Sequence, residues 1–289
     1  MHYDLAYCIV ILKIVPGETR MSTDRGNDVQ RDPLHVSSVA KTFRVLEAFG
    51  QTTGDLSLAE LAQHAELDKS ATQRFAHTLW QLGYLEKDAR TRRFRLGKPV
   101  LDLTYFYLRS NPLVERATPA LLDLRQRSGE RANLSLYDQT TMIYVIRHQS
   151  KREYYDSSLI GRRVPVYCSA GGRAILARLS PADAADVIAR SNIVARTPHT
   201  LTDRAAILAK VEETRAAGYG LAVEETEIGE ITLGAAVTDA LGRPVAAVHI
   251  AASVKEWAPE AFAERFAHMV IETAQALSST RDHLRPRAR

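Results

Sequence analysis

Two groups of side chains in this 289-residue sequence are placed to do chemistry. In the first, Ser70, Gln73, Arg74, His77 and Gln81 recur at helical spacing and share one face, where only Arg74 carries a permanent charge. A merely solvated face is usually rich in Glu and Lys. Donors and acceptors at the amino end of a helix are what base edges in a major groove require. A few residues on, Lys87, Arg90, Arg92, Arg93, Arg95 and Lys98 stand against the single acid Asp88. That local excess of five positive charges exceeds the +4 of the whole chain. A phosphate backbone is its natural counterpart; charge that only defended a hairpin edge would not need a single sign.

The second group lies in the carboxy-terminal half. Ser169-Ala170-Gly171-Gly172 stands where a strand gives way to a helix. Small residues there let a ligand approach the backbone, and N–H groups at a helix start suit a carboxylate. A tight strand-to-helix packing turn accounts for the same residues equally well. Cys168, His249 and Glu224 or Glu225 also offer the residue types of a nucleophile, a base and an orienting acid. No nucleophile elbow, HExxH, Walker or Rossmann pattern accompanies them, and a cysteine in an apolar strand is more often an inert core thiol. An enzyme is therefore the weaker alternative.

The elements that must position these groups follow from pattern. Residues 1–33 contain a short apolar stretch from Tyr7 to Val15, interrupted by Lys13 and preceded by Asp4 where a signal peptide would be basic. They are expected to be a dispensable extension, with Met21 as an alternative start. Val39, Phe43, Val45, Leu46 and Phe49 form the apolar face of a first helix. Ser57-Leu58-Ala59-Glu60 is a capping box that opens a short helix to His64. Asp68 caps a third helix, which buries Thr72, Phe75, Leu79 and Leu82 and stops at Gly83. Residues 83–87 and 92–96 then read as the strands of a hairpin around the turn 88–91. The apolar and aromatic helix 99–110 has too many large side chains (Leu101, Leu103, Tyr105, Phe106, Leu108) to stand alone in water.

From residue 113 strands and helices alternate. Helices are expected at 113–128, 171–179, 181–190 and 203–217, the last closed by Gly218. Strands are expected at 132–137, 142–148, 232–238 and 245–251, with extended segments at 154–159 and 164–168. A closing helix carries Phe262, Phe266, Met269, Val270, Ala274 and Leu277 at core spacing, ahead of a frayed basic tail at 285–289. The fold class is α+β with an antiparallel sheet.

Composition agrees. Apolar residues make up 45% and charged ones 25%, an ordinary globular balance with room for about two domains. No apolar run reaches the ~18–20 residues that span a bilayer, so no membrane partner is expected. The two cysteines, Cys8 and Cys168, lack metal-ligand spacing. They exclude a disulfide framework and fit a reducing, cytoplasmic compartment. Neither a metal nor a cofactor is implied.

Residues 34–110 closely resemble the winged helix-turn-helix of IclR-type transcriptional regulators. The resemblance rests on Leu58-Ala59-Glu60-Leu61-Ala62, Lys69-Ser70-Ala71-Thr72-Gln73-Arg74, Leu82-Gly83-Tyr84-Leu85-Glu86 and Arg95-Leu96-Gly97. Ala71 departs from the threonine or serine common in that family. The stretches from Gly161 to Ala177, Gly218 to Gly229 and Gly242 to Val248 resemble the GAF-like effector domain of the same family. The resemblance implies a winged helix-turn-helix at 34–97, a linker and dimerisation helix at 98–112 and an effector-binding domain at 113–289. It implies a homodimer, with pairing into tetramers left open, acting as repressor or activator on double-stranded operator DNA. Ser70, Gln73, Arg74 and His77 would enter the major groove, with Arg90, Arg92 and Arg93 on phosphates or in the minor groove.

For the effector, the resemblance makes Ser169, Ala170, Gly171 and Gly172 a ligand-lining loop and puts Thr232 where several members have a ligand-contacting cysteine or serine. His249 and Ala251 fall where some carboxylate-binding members have two serines. Tyr167 and Leu221 would supply apolar walls. The expected effector is a small organic acid larger than a two- or three-carbon keto acid, aromatic acids included. A nucleic-acid packaging protein fits less well, because its cations would be spread over the surface.

Overall fold

The computed structural model describes residues 33–150 and 160–278, in two compact units that divide after Tyr107. The extension expected at 1–33 (Pro33 apart), the extended segment at 154–159 and the basic tail fall outside the described residues.

In the first unit, α1 (Ser37–Glu47) passes through a short 3-10 turn into the loop before α2 (Leu58–His64), and α3 (Lys69–Gln81) precedes the strands β1 (Leu85–Lys87) and β2 (Phe94–Leu96). The caps are those the sequence announces. Ser57 Oγ accepts from the Glu60 N–H while Glu60 Oε2 accepts from the Ser57 N–H, and Asp68 Oδ1 accepts from the Ala71 N–H. Val45, Ala48, Leu61, Ala76, Leu79 and Leu85 form the core with Leu56 and Phe94. Leu56 and Phe94 exchange two backbone hydrogen bonds, which fasten the hairpin to the chain ahead of α2.

Three apolar residues expected in this core are outside it: Val39, Phe43 and Leu82 are 52%, 55% and 63% exposed. Helix α1 has a single buried residue, Val45, in its second half, so its first turns lie outside the core of this unit. Leu82 is the C-cap of α3, where the chain leaves the packing face to turn at Gly83, whose φ is +80°. The hairpin strands are also shorter than expected, and the turn between them runs from Asp88 to Arg93. Helix α4 (Pro99–Ser110) follows with no buried residue at all.

The second unit is a six-stranded antiparallel sheet with helices on both faces. Its strands are β3 (Arg131–Asp138), β4 (Thr141–His148), β5 (Arg163–Pro165), β6 (Gly220–Val223), β7 (Glu230–Thr238) and β8 (Pro244–Ser253), in the spatial order β5-β4-β3-β8-β7-β6. The helices are α5 (Pro112–Ser128), α6 (Ala170–Leu176), α7 (Pro181–Arg190), α8 (Arg204–Ala217) and α9 (Pro259–Leu277). Successive strand residues alternate between faces. One face, with Leu134, Leu233, Val248 and Ile250, packs on Leu121 and Leu124 of α5 and Phe262 and Phe266 of α9. The other face carries Asn133, Ser135, Tyr144, Thr232, Gly234, Ala247 and His249, and α6 lies against part of it.

Candidate nucleic-acid interface and effector pocket

Helix α3 divides as its sequence implies. Thr72, Ala76 and Leu79 are buried, and Thr72 Oγ1 donates to the Asp68 carbonyl at 2.9 Å. Ser70, Gln73, Arg74, His77 and Gln81 are all exposed. The His77 ring stands 5.6 Å from that of Trp80, which is also exposed.

The wing turn is built on Asp88. Its Oδ1 accepts from the Arg90 N–H at 3.0 Å and from Thr91 Oγ1 at 2.8 Å, and hydrogen bonds from Thr91 above all hold its carboxyl below the usual range. Arg92 takes the left-handed conformation, φ +60°, at the tip. Arg90, Arg92 and Lys98 are exposed. Three of the six cations are committed elsewhere. Lys87 Nζ sits 4.9 Å over the Phe94 ring, and Arg95 pairs across the strands with Glu86 at 2.7 Å. Arg93 departs from the expected phosphate role: its Nε donates to the Asp55 carbonyl at 2.9 Å, and its guanidinium pairs with Glu60 Oε2 at 2.6 Å. Its geometry makes it the tie between the wing and the cap of α2.

In the second unit several expected effector residues are packing groups instead. Ser169, Ala170, Gly171 and Gly172 are all buried. Ser169 Oγ caps the helix by accepting from the Gly172 N–H at 3.2 Å, and it donates to the Pro165 carbonyl at 2.8 Å. A Cβ on Gly171 would lie 2.7 Å from His249 Nε2 and 2.8 Å from the Ala247 Cβ. A Cβ on Gly172 would strike the Val166 backbone. The turn is thus a tight strand-to-helix contact.

Tyr167 is likewise buried, its hydroxyl donating to the Val194 carbonyl at 2.8 Å and accepting from the Val194 N–H at 3.1 Å. Leu221 packs against the apolar cluster on the opposite sheet face. His249 has no exposed surface; its Nε2 is 2.6 Å from Ser135 Oγ and its ring 5.4 Å from that of Tyr144. Burial pulls its pKa down to about 3, so the ring is neutral. It packs as a core histidine.

The residues imagined as a catalytic triad serve separate ends. Burial pushes the Cys168 thiol up to about 12. Glu225 is held by Arg173 in a buried bidentate pair, both contacts 2.6 Å. Glu224 Oε1 accepts from the Gly229 N–H at 2.8 Å. Among the described residues no group of His, Cys, Asp and Glu is arranged to hold a metal.

The cavity that does open on this sheet face is lined by Asn133, Tyr144, Arg147, Arg162, Val164, Thr226, Glu227 and Glu230. Asn133 pairs in register with Arg147 on one side and His249 on the other, so the strands themselves fix where it stands. It is 2% exposed, and its Oδ1 has no hydrogen-bond partner. Glu230 pairs with Arg131 and accepts from Thr232 Oγ1 at 3.2 Å, while Arg162 and Glu227 are 3.6 Å apart. Ala251 lies across from Arg131 and Thr232 at this edge. Thr226 and Glu227 sit on a loop anchored by Glu225 to Arg173 and by hydrogen bonds from Thr197 to the Glu224 carbonyl and Thr200 to the Glu225 carbonyl.

None of the expected effector residues lines this cavity; Thr232 reaches it through its hydrogen bond to Glu230. Asn133, Tyr144, Arg147, Arg162, Glu227 and Glu230, which do line it, are not among the residues the sequence singles out. The signal for them was there in β3, where Arg131, Asn133 and Ser135 interleave with Ala132, Leu134 and Leu136: an ionic and polar row on a strand expected to be buried.

A helix-turn-helix with a cationic wing, in one chain with a sheet that keeps a charged cavity, defines a DNA-binding transcription regulator with an effector domain. Two family models match, the IclR helix-turn-helix domain over residues 38–89 and the bacterial transcriptional regulator IclR C-terminal domain over residues 105–279. The chain belongs to the IclR family of bacterial transcriptional regulators. It is 29% identical to the Pca regulon regulatory protein of Pseudomonas putida, an alignment spanning 85% of this chain and 84% of that one. It is 28% identical to the transcriptional repressor IclR of Escherichia coli K12, covering 84% and 89% of the two chains. Among solved structures, Thermotoga maritima IclR superposes with a TM-score of 0.63 at 25% identity, over 84% of this chain and 98% of that one. An IclR homologue from Microbacterium hydrocarbonoxydans, solved in complex with 4-hydroxybenzoate, superposes with a TM-score of 0.68 at 21% identity over 83% and 97%. These relatives regulate transcription, and this chain is a regulator rather than an enzyme. Among the described residues no helix is long and apolar enough to cross a membrane.

Proposed function

We propose that the protein binds double-stranded operator DNA in the cytoplasm as a homodimer, and that a small organic acid held in the second unit changes that binding. The observation that carries the reading is the exposed, hydrogen-bonding face of α3 in the same unit as a wing whose Arg90 and Arg92 are exposed. Ser70, Gln73, Arg74 and His77 read base edges; Arg90 and Arg92 hold phosphates; Arg93 keeps the wing in place. A second copy supplies what α4 lacks. Leu101, Leu103, Tyr105, Phe106 and Tyr107 are each at least half exposed, a run of apolar surface that water disfavours. Two recognition helices then address half-sites about one helical turn apart.

An acid as effector is supported by Arg147 and Arg162, two guanidinium groups in the cavity wall. The 4-hydroxybenzoate held by the Microbacterium hydrocarbonoxydans homologue is an organic acid too. The ligand acts by binding one arrangement of the dimer more tightly than another.

Fluorescence anisotropy against the protein's own promoter fragment and random duplex, at one fixed salt concentration, tests this. The expected result is a preference of about a thousandfold or more for the promoter, with sedimentation showing dimers. Promoter binding that survives both Arg74→Ala and Arg92→Ala unchanged overturns it.

A further inference from the structure

The wing is fixed at its base, along its length and at its tip. At the base, a Cβ on Gly97 would strike the Gly83 carbonyl, so the returning strand lies directly on the turn that ends α3. The Gly97 N–H also donates to the Tyr84 carbonyl at 2.8 Å. Along its length, Leu56 and Phe94 join backbones and Arg93 pairs with Glu60. At the tip, Asp88 is the single acid among the cations, and its sign repels phosphate. Its Oδ1 accepts from the N–H groups of Arg90 and Thr91 and from the Thr91 hydroxyl, the pattern of an Asx turn. Each of those donors belongs to Arg90 or to Thr91, the residue that joins Arg90 to Arg92. The Arg92 N–H donates to the Asp88 carbonyl at 3.0 Å, with Arg92 in a left-handed conformation that a side chain of its size seldom adopts.

We propose that Asp88 is a positioning residue for operator recognition, whose side-chain acceptor holds Arg90 and Arg92 in register with α3 and whose charge opposes binding. The two effects part on different DNA. On random duplex the protein is free to slide, and affinity follows the count of charges, to which Asp88 adds a repulsion. On the operator α3 is pinned by its base contacts, so phosphate contacts count only where the wing presents them. A tip without its turn keeps both arginines, but they must be ordered at the moment of binding. The inference rests on the reading that the first unit binds operator DNA. It adds that the wing sets register and does more than supply charge.

Fluorescence anisotropy of the full chain on its own promoter fragment and on random duplex, at one salt concentration, tests this with three variants. Asp88→Asn keeps the acceptor and drops the charge. It is expected to tighten both duplexes about threefold, the effect of one negative charge removed near phosphates, with the promoter preference unchanged. Asp88→Ala drops both. It is expected to tighten random duplex by the same factor and to lower the promoter preference about tenfold, through the lost turn contacts. Thr91→Val keeps the charge and removes one donor; it is expected to lower the preference about threefold and to leave random duplex unchanged. Asn and Ala variants that behave alike overturn the proposal, and so does a preference that survives Asp88→Ala and Thr91→Val. Should Asp88→Ala lose random duplex as well, through a lost fold, Thr91→Val decides alone. A parent protein without promoter preference is a different failure, which removes the regulator reading itself. A parent that prefers its promoter, with an Asp88→Ala protein that does so equally, removes only the positioning role.

Discussion

Arg93 in the wing and Glu60 in the first turn of α2 are 2.6 Å apart, and the same carboxylate accepts the Ser57 N–H. One acid therefore closes the cap of a helix and holds the hairpin to it. The pair bears on how the cationic wing divides between holding itself together and meeting DNA.

Arg93→Ala is expected to destabilise the first unit by about 0.5–1 kcal/mol, since the pair is partly exposed and worth little more than that. Chemical denaturation followed by circular dichroism reads this. Arg92→Ala is expected to leave stability unchanged and to reduce the slope of log affinity against log salt by about one. The reverse assignment, with Arg92 structural and Arg93 electrostatic, would show as exchanged phenotypes.

Acidification is expected to act in two windows. Burial holds His249 at about 3, below its ordinary 6.5. The unfolded chain takes up this proton from near pH 6.5 downward and the folded chain does not, so stability falls with pH between about 6.5 and about 3, by at most about 1.4 kcal/mol per pH unit. His249→Gln is expected to flatten that slope. Glu60 is held down to about 2, first by the Ser57 N–H, then by the Ser57 hydroxyl and Arg93. Its contribution is present above about pH 4.5 and is lost as pH falls toward 2. Urea titrations of the parent and His249→Gln at pH 7, 5.5 and 4.5 check the first window.

Gly171→Ala is expected to cost about 1–3 kcal/mol or more, because the new methyl meets the His249 imidazole and the Ala247 methyl. Trimming the imidazole makes room. The double variant Gly171→Ala/His249→Ala is therefore expected to be less destabilised than the two single effects added together, a coupling that equilibrium unfolding measures.

Breaking the Arg173–Glu225 pair from one side strands a buried charge. Arg173→Met or Glu225→Gln alone is expected to cost about 3–5 kcal/mol, and Arg173→Met with Glu225→Leu to recover much of it. The single variants are also expected to weaken effector binding, since Glu225 anchors the loop that carries Thr226 and Glu227.

What the chain announces in advance is mostly local. The capping residues Ser57 and Asp68, the left-handed Gly218 after α8 and the bounds of α7 each depend on a few neighbouring residues, and they appear where the pattern puts them. The inner and outer faces of α3 are legible for the same reason. Arg93 is not: its partner lies 33 positions away, and nothing near it marks one arginine of the wing as structural. Val39 and Phe43 have the spacing of a core face but no core to meet within their unit. Strand β6, four residues long, starts three positions after the end of α8 and is stabilised by pairing with β7, so its propensity is a poor guide. The lining of the cavity is not legible because it depends on register. Whether His249 or Asn133 borders the cavity depends on how β3 aligns with β4 and β8, with an irregularity between Leu134 and Ser135, and the pairing with β8 is decided by contacts between residues far apart in the sequence, such as Asn133 and His249.

The alternation of the large sheet has an evolutionary consequence. Because Leu134, Val248 and Ile250 grip their helices on one side while Asn133 and its neighbours stand on the other, a lineage can exchange the polar row residue by residue without disturbing the foundation beneath it. New metabolites become readable through such drift, while the body that folds stays as it was.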